Sequence, residues 1–247
     1  RCCGLAYQAE SVVKRYRETT LEIQKRADNS QLIGPYAVRQ LAAMHHVWLA
    51  LGRPTSLRVM DFGGALGSHF YALRPHWPWC SLHWIVCETR AVAAAGAAEY
   101  CWAGLDGSRL TFTASAHEAL SAGVDLVLAS CSLQYLEHWF EMLQEFAAAP
   151  WLLLDRVPLI NHPEDLIDIQ VVPAGYTDTR YPGWKFAEST WLPRMAKAGF
   201  ELVMRWLVPE DRWSVLDLDS GMFRWAADHD HGFLLRSQRV KAKPVIF

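Results

Sequence analysis

The stretch "RVMDFGGALGSHF", residues 58–70, decides the fold. An apolar run ends at Asp61, and three glycines follow within five residues, at Gly63, Gly64 and Gly67. Glycines allow a tight turn and a close approach of the backbone to another group. A strand, a glycine-rich turn and a helix in this order are typical of a ligand site at the carboxyl ends of the strands in an α/β sheet. The alternative is a tight turn that binds nothing.

Apolar strands alternate with helical segments along most of the chain. The clearest helix is predicted over 133–147, with Ser132 as its N-cap, and another over about 187–198. Nearly continuous apolar strands between helices predict a mostly parallel sheet that is covered on both faces. The predicted strands are 56–62, 81–88, 109–115, 124–130, 150–155, 198–206 and 231–238.

Two regions depart from this alternation. Residues 1–54 are predicted to form a helical extension packed on the α/β core of 55–247. Its clearest helix face is formed by apolar residues spaced three or four apart, Ala37, Leu41, Met44, Trp48 and Leu51. Residues 156–186 hold four prolines and are predicted to be a long irregular insertion, which in a compact domain is usually functional.

Composition excludes several classes of protein. The 247 residues are 51% hydrophobic and 20% charged, with a net charge of −2, so a basic stripe for nucleic acid or membrane surfaces is not expected. No apolar run is long enough to span a membrane and no signal peptide is visible. The six cysteines form no C-x-x-C pair, which favours a cytoplasmic location without a zinc site. His229 and His231 lack an evident third ligand, so no metal is expected.

Two nucleotide cofactors compete for the glycine turn. A dinucleotide fingerprint, G-x-G-x-x-G, fails because Ala65 stands at its second glycine. S-adenosylmethionine sites resemble D-x-G-x-G-x-G, which here corresponds to Asp61, Gly63, Ala65 and Gly67, with alanine replacing the middle glycine. Glu88 closes the second strand, where a carboxylate can accept hydrogen bonds from both ribose hydroxyls. NAD enzymes share that acid, so it does not separate the two cofactors.

Four segments, in order, resemble a known family. They are "DFGGALGSHF", "ASCSLQYLEH", "LLLDRVPLI" and "RYPGWKF", and the similarity covers about residues 30 to 205. The family consists of S-adenosylmethionine (SAM)-dependent methyltransferases often associated with bacterial surface-polysaccharide gene clusters, and its substrates are poorly defined. "AGFELV" before a late strand also resembles the closing hairpin of class I methyltransferases.

The resemblance implies a fold, a cofactor and an activity. The fold would be a Rossmann-like, seven-stranded, mostly parallel sheet with an antiparallel C-terminal hairpin, and 55–247 would be the methyltransferase domain. The protein would use SAM to methylate an oxygen or nitrogen of a small molecule or of a sugar-containing intermediate. Two alternatives stay open: a catalytically inactive SAM- or nucleotide-binding partner protein, and an NAD-dependent oxidoreductase.

Candidate site residues follow from the predicted strand ends and from the resemblance. Those expected to bind the cofactor are Asp61, Phe62, Gly63, Gly64, Ala65, Gly67, Glu88, Thr89, Ser115, Ser130, Cys131 and Ser132. For residues 130–132 the alternative is helix capping. The candidates for catalysis are Asp155 as proton acceptor, Arg156 as a ligand for an anionic substrate and His69 as a base. For Asp155 and Arg156 the alternative is a buried ion pair, and for His69 it is a backbone contact.

Three aromatic residues are candidates for substrate binding: Tyr135, Tyr181 and Trp184. Tyr181 and Trp184 lie in the proline-rich insertion after the fifth strand, where aromatic faces suit stacking on a sugar or another ring. The alternative is that they fasten the insertion to the sheet.

Overall fold

A computed structural model of the chain describes residues 10–28, 34–171, 180–216 and 223–240. Parts of the predicted regions therefore lie outside the described residues. They are 1–9 and 29–33 of the N-terminal extension, 172–179 of the insertion, and 217–222 and 241–247 of the α/β core.

Helices cover both faces of one large sheet. Within the described residues the α-helices are α1 (Glu10–Asp28), α2 (Pro35–Ala50), α3 (Ser68–Leu73), α4 (Arg90–Glu99), α5 (Ala116–Ser121), α6 (Trp139–Phe146) and α7 (Glu188–Ala198). Short 3₁₀ turns occupy Arg74–His76 and Leu133–Tyr135. The strands are β1 (Ser56–Phe62), β2 (Ser81–Cys87), β3 (Trp102–Ala103), β4 (Arg109–Thr113), β5 (Leu126–Ser130), β6 (Trp151–Ile160), β7 (Leu166–Val171), β8 (Arg180–Ala187), β9 (Phe200–Leu216) and β10 (Phe223–Ser237).

The sheet confirms the predicted architecture. Its strand order is β3-β4-β2-β1-β5-β6-β10-β9. The strands β4, β2, β1, β5 and β6 are parallel, whereas β10 and β9 close the sheet as an antiparallel hairpin. Asp61 on β1 pairs with Val86 on β2 and with Leu128 on β5. The strand order reverses at β1, because β2 and β4 follow on one side of it and β5 and β6 on the other, and such a reversal opens a crevice at the carboxyl ends of the strands.

The core lies on both faces of the sheet. On one face α2 and α3 pack over strand residues such as Val59 and Leu153. On the other, α6 and α7 pack over residues such as Met60 and Leu154, with Trp191 fully buried. Successive strand residues point to opposite faces, so burial on both faces explains why the strand sequences are continuously apolar.

The prediction that 156–186 form an irregular insertion is wrong for the part of this segment that the structure describes. β6 continues to Ile160, and β7 and β8 form an antiparallel hairpin whose β8 end pairs in parallel with the end of β6. Prolines are tolerated where a strand lacks a neighbour on one side, because no ladder hydrogen bond is lost there. Pro158 lies beyond the last β6 residue that β5 pairs with, and Pro182 lies in the two-stranded hairpin.

The single helix predicted over 133–147 is also interrupted. A 3₁₀ turn ends before Leu136, whose backbone is extended, and α6 begins only at Trp139. Ser132 precedes the turn, but its side chain makes no capping hydrogen bond. The indole N–H of Trp184 donates to the carbonyl oxygen of Leu136 at 2.9 Å. A continuous helix would need that carbonyl for its own hydrogen bond, so a long-range contact replaces a local one.

Candidate functional site

A cavity of about 350 Å³ opens at the carboxyl ends of the parallel strands. Its walls come from the segments that follow β1, β2, β4 and β5, from α6, and from Tyr16 on α1. The lining residues are Tyr16, Phe62, Gly63, Cys87, Glu88, Thr89, Ala114, Ala116, Cys131, Ser132, Tyr135, Leu136 and Met142.

The glycine turn is packed tightly against the protein itself. Gly63 has φ 74°, and a Cβ there would lie 2.6 Å from the Cβ of Ser132. A Cβ on Gly64 would lie 2.3 Å from the carboxyl group of Asp61. Internal packing therefore requires these two glycines, which is what the alternative of a tight turn without a ligand predicts. The same turn nevertheless borders the cavity through Gly63, so a role in ligand binding is compatible with this packing role.

Glu88 joins the end of β2 to the turn. Its carboxylate accepts the backbone N–H of Ala65 at 3.2 Å and that of Thr89 at 2.8 Å. Burial raises the pKa of Glu88 to about 7, although the two backbone hydrogen bonds act in the opposite direction. Glu88 also lines the cavity, so its carboxyl group is within reach of a ligand there.

Asp61 supports the turn from behind the cavity. It is fully buried, and the indole N–H of Trp84 donates to its Oδ2 at 3.0 Å. His69, in the first turn of α3, places Nδ1 at 3.1 Å from both carboxylate oxygens of Asp61. Burial lowers the pKa of His69, but the charge and hydrogen bond of Asp61 outweigh it, and the pKa is raised overall. Asp61 therefore holds the Nδ1 atom of His69 in a hydrogen bond and fixes the orientation of the imidazole ring.

Asp155 is not in a close ion pair among the described contacts. Gln40 Nε2 donates to its Oδ2 at 3.1 Å, and Trp206 Nε1 donates to its Oδ1 at 3.2 Å. The residue is fully buried, and this desolvation raises the pKa of Asp155. Asp155 thus fastens α2 and β9 to β6. The next residue, Arg156, holds its guanidinium carbon 5.1 Å from the ring centroid of Tyr36.

Three non-glycine residues adopt left-handed backbone conformations at this edge of the sheet. Ala65 follows β1 with φ 53°, Cys131 follows β5 with φ 52°, and Arg156 lies on β6 with φ 59°. The three strands are neighbours. Each such conformation costs about 1–3 kcal/mol and persists only where the surroundings enforce it, and such residues cluster at functional sites.

The aromatic candidates divide into two groups. Tyr135 lines the cavity, and its hydroxyl donates to Oε1 of Gln170 on β7 at 2.8 Å. The ring of Tyr181 packs edge-to-face on that of Tyr135, with centroids 5.1 Å apart. Trp184 lies outside the cavity lining and packs against the core. Its bond to Leu136 fastens the hairpin to the α6 segment, as the packing alternative predicted.

The structure brings together seven of the predicted cofactor and substrate residues and places the rest elsewhere. The predicted residues that line the cavity are Phe62, Gly63, Glu88, Thr89, Cys131, Ser132 and Tyr135. Asp61, Gly64, Ala65, Gly67, Ser115 and Ser130 are absent from that lining. Ser115 acts as the N-cap of α5, accepting the Glu118 N–H at 3.2 Å.

Several lining residues were missed by the sequence interpretation. Cys87, Ala114 and Ala116 are direct neighbours of predicted positions along the chain, so a wider window at each strand end would have found them. Leu136 and Met142 belong to the interrupted helix. Tyr16 carries no local signal, because its contribution depends on how α1 packs against the α/β core.

Comparison with known proteins shows a similarity of architecture alone. No family model matches the chain, and no curated protein matches it in sequence. Solved structures with similar architecture include human N-acetylserotonin methyltransferase in complex with SAM (12% identity, TM-score 0.49, 94% of this chain and 57% of that one). Another is the 1,6-didemethyltoxoflavin-N1-methyltransferase of Burkholderia thailandensis (18% identity, TM-score 0.43, 79% of this chain and 76% of that one). A third is described as a pericyclic reaction enzyme (15%, 0.45), and the alignment covers 78% of this chain but about half, 47%, of that one.

Within the described residues, no helix combines the length and the apolar character that crossing a bilayer requires. No group of three or more His, Cys, Asp or Glu side chains in the same part is arranged to hold a metal ion.

Proposed function

We propose that this chain is a class I SAM-dependent methyltransferase that acts on an oxygen or nitrogen of a small molecule or of a sugar-containing intermediate. One observation carries the proposal. The glycine turn after β1, the acid after β2 and the segments after β4 and β5 enclose one cavity. Its volume, about 350 Å³, lies within the range of small-molecule sites.

The residues of the cavity suit the parts of SAM. Glu88 offers a carboxylate for the ribose hydroxyls, and Phe62 and Met142 offer apolar surface for the adenine ring. The hydroxyl oxygens of Thr89 and Ser132 are buried and have no hydrogen-bond partner among the described residues. Buried polar atoms are normally bonded. A polar ligand in the cavity is a natural partner for both, because both residues line it.

The acids at the turn favour SAM over a dinucleotide. A pyrophosphate needs backbone N–H groups that point to it, but Glu88 already accepts the N–H of Ala65. Asp61 lies directly behind the same turn. Carboxyl groups on both sides of the turn repel a pyrophosphate at that position. The NAD-dependent alternative is accordingly disfavoured.

Catalysis would require the protein to orient the acceptor and remove its proton, because bound SAM supplies an activated methyl group. His69 is the better candidate base of the two, since Asp61 engages Nδ1 and leaves Nε2 to take a proton, although the imidazole is not among the residues that line the cavity. Asp155 suits the role of proton acceptor less well, because it is buried and both its oxygens already accept hydrogen bonds. We assign Tyr135 and Tyr181 to the acceptor side of the cavity and give Trp184 a supporting role.

Calorimetric titration with S-adenosylhomocysteine tests the cofactor assignment. Saturable one-to-one binding is expected, and no saturable binding up to millimolar ligand would contradict it. A second assay with methyl-labelled SAM and small-molecule extracts tests catalysis. Transfer of label to any extract component distinguishes an enzyme from an inactive binding protein, which would bind S-adenosylhomocysteine but label nothing.

A further inference from the structure

One residue of the cavity wall comes from the N-terminal extension. Of the described residues that line the cavity, Tyr16 on α1 alone precedes β1. The remaining lining residues lie at the ends of β1 and β2 or in the segments that follow β1, β2, β4 and β5. Tyr16 therefore adds a wall that the α/β core itself does not supply.

α1 packs on the glycine turn after β1 and on α4. Val13 of α1 is buried in one cluster with Leu66 of the turn and Val92 in the first turn of α4, and Tyr16 packs against this cluster. The carboxylate of Glu88 is hydrogen-bonded to the backbone of the same turn and of the residue that precedes α4. α1 thus lies against the part of the cavity that we assign to the ribose of SAM.

An ion pair at the surface joins α1 to α4. Arg17 Nε donates to Oε2 of Glu99 at 2.8 Å, and Arg17 Nη2 donates to Oε1 of the same carboxylate. Such a two-point contact fixes the relative orientation of its two side chains. Arg17 lies next to Tyr16 in the chain, and Glu99 is the last residue of α4. The side chains of Arg17 and Glu99 are 39% and 41% exposed, so their charges can be reversed without disturbing the core.

The attachment of α1 depends on a small number of side chains. Among residues 10–27, only Val12, Val13 and Thr20 are buried. Helices in proteins owe most of their stability to packing, so these contacts and the ion pair carry most of the attachment. A ligand that contacts Tyr16 adds to them. Ligand binding and the docking of α1 must then strengthen each other by the same factor.

We propose that α1 is part of the cofactor site: Tyr16 contacts bound SAM, and the ion pair between Arg17 and Glu99 holds α1 in the position that this contact requires. A tyrosine ring offers a large apolar surface for such a contact. The proposal rests on the proposed function, because it takes the cavity to be the SAM site. It adds a positioning contact for the cofactor that lies outside the cavity.

Calorimetric titration of variants with S-adenosylhomocysteine tests both parts of the proposal. Tyr16→Ala should weaken binding about tenfold. Arg17→Glu and Glu99→Arg should each weaken it about two- to fivefold, and the double variant should restore it, because the pair forms again with exchanged charges. Lys14→Glu makes the same change of charge at an exposed position of α1 and should bind as the wild type does. Circular dichroism checks the fold, and the charge variants decide the matter if Tyr16→Ala fails to fold.

Hydrogen exchange of the backbone amides gives a second readout, which does not depend on activity. S-adenosylhomocysteine should slow exchange in α1 of the wild type. Arg17→Glu should speed exchange in α1 of the ligand-free protein, and the double variant should reverse that change. α7 contributes no residue to the cavity lining, so its exchange serves as the internal reference.

The outcomes separate this proposal from the proposed function. If S-adenosylhomocysteine binds the wild type, but Tyr16→Ala and the charge reversals bind it equally well or α1 exchange is unchanged, α1 is not part of the cofactor site and the methyltransferase proposal stands. A double variant that stays as weak as the single ones disproves the positioning role of the ion pair. If S-adenosylhomocysteine does not bind the wild type at all, the methyltransferase proposal fails and the cofactor role of α1 fails with it.

Discussion

The carboxylate of Glu88 accepts the backbone N–H of Ala65 at 3.2 Å, which ties the end of β2 to the turn after β1. Ala65 is one of the left-handed residues, and the bond helps to hold it in that conformation. One acid thus shapes the glycine turn and also faces the cavity. Substitutions at Glu88 should therefore affect ligand binding in two ways, through the lost ribose acceptor and through the turn.

We expect Glu88→Ala to weaken S-adenosylhomocysteine binding roughly ten- to a hundredfold, since charged hydrogen bonds contribute about 1.5–3 kcal/mol. Calorimetry measures the affinity and circular dichroism confirms the fold. Glu141→Ala, an exposed position on α6, is the control and should bind as the wild type does. Unchanged affinity in the Glu88 variant would place the ribose elsewhere.

The pKa of Glu88 predicts a pH dependence of stability. Its pKa is about 7 in the folded protein and 4.5 as the ordinary value, so between these the folded state holds the proton more tightly. The free energy of unfolding should therefore fall as pH rises from about 4.5 to 7. Glu88→Gln removes this effect, so its stability relative to the wild type should improve by up to about 3 kcal/mol between pH 4.5 and 8. Denaturant titrations at both pH values measure it, and equal differences at the two would contradict the assignment.

Gly64→Ala should destabilise the protein by about 1–3 kcal/mol and weaken S-adenosylhomocysteine binding. The added Cβ would lie 2.3 Å from the Asp61 carboxyl group, so the turn or the acid must move. Gly34→Ala is the control, because a Cβ there meets nothing within 4 Å. Thermal melting separates the two variants. Equal melting temperatures would mean that the turn yields without cost.

His69→Ala should reduce methyl transfer about a hundredfold or more and leave S-adenosylhomocysteine affinity nearly unchanged. Because the pKa of His69 is raised, the wild-type rate should increase with pH through a midpoint above the ordinary value of 6.5. Asp61→Asn removes the charge that raises the pKa, so it should move that midpoint to lower pH. Rate profiles with the acceptor found in the labelling assay measure this. A midpoint that stays in place in His69→Ala would exclude His69 as the base.

Trp184→Ala should lower the melting temperature and also weaken S-adenosylhomocysteine binding. The indole holds Leu136, a cavity residue, and packs on the core, so its loss should cost about 3 kcal/mol. Trp184→Phe keeps most of the packing and removes only the hydrogen bond, so a smaller loss is expected. A stable alanine variant with full cofactor affinity and low activity would instead support direct contact with the acceptor.

The sequence alone determined the central parallel strands of the sheet and the position of the glycine turn. Nearly continuous apolar runs such as 151–154 favour burial on both faces of a parallel sheet. The carboxyl ends of parallel strands meet at one edge, so the sequence alone predicts that Gly63, Glu88 and Cys131 lie together, as they do in the cavity lining. Local pattern was sufficient there because it identifies where each strand ends, and parallel strands bring those ends to one edge.

Tertiary structure alone decided the rest of the site. Tyr16 reaches the cavity only because α1 packs beside the core, and Gln40 meets Asp155 across 115 residues of chain. The bond from Trp184 to Leu136 interrupts a helix that its own sequence pattern predicts. A long-range hydrogen bond or charge leaves no periodic trace along the chain, since each partner satisfies its local pattern separately. Which side chains face the cavity, and which support it from behind, is therefore a property of the packed molecule.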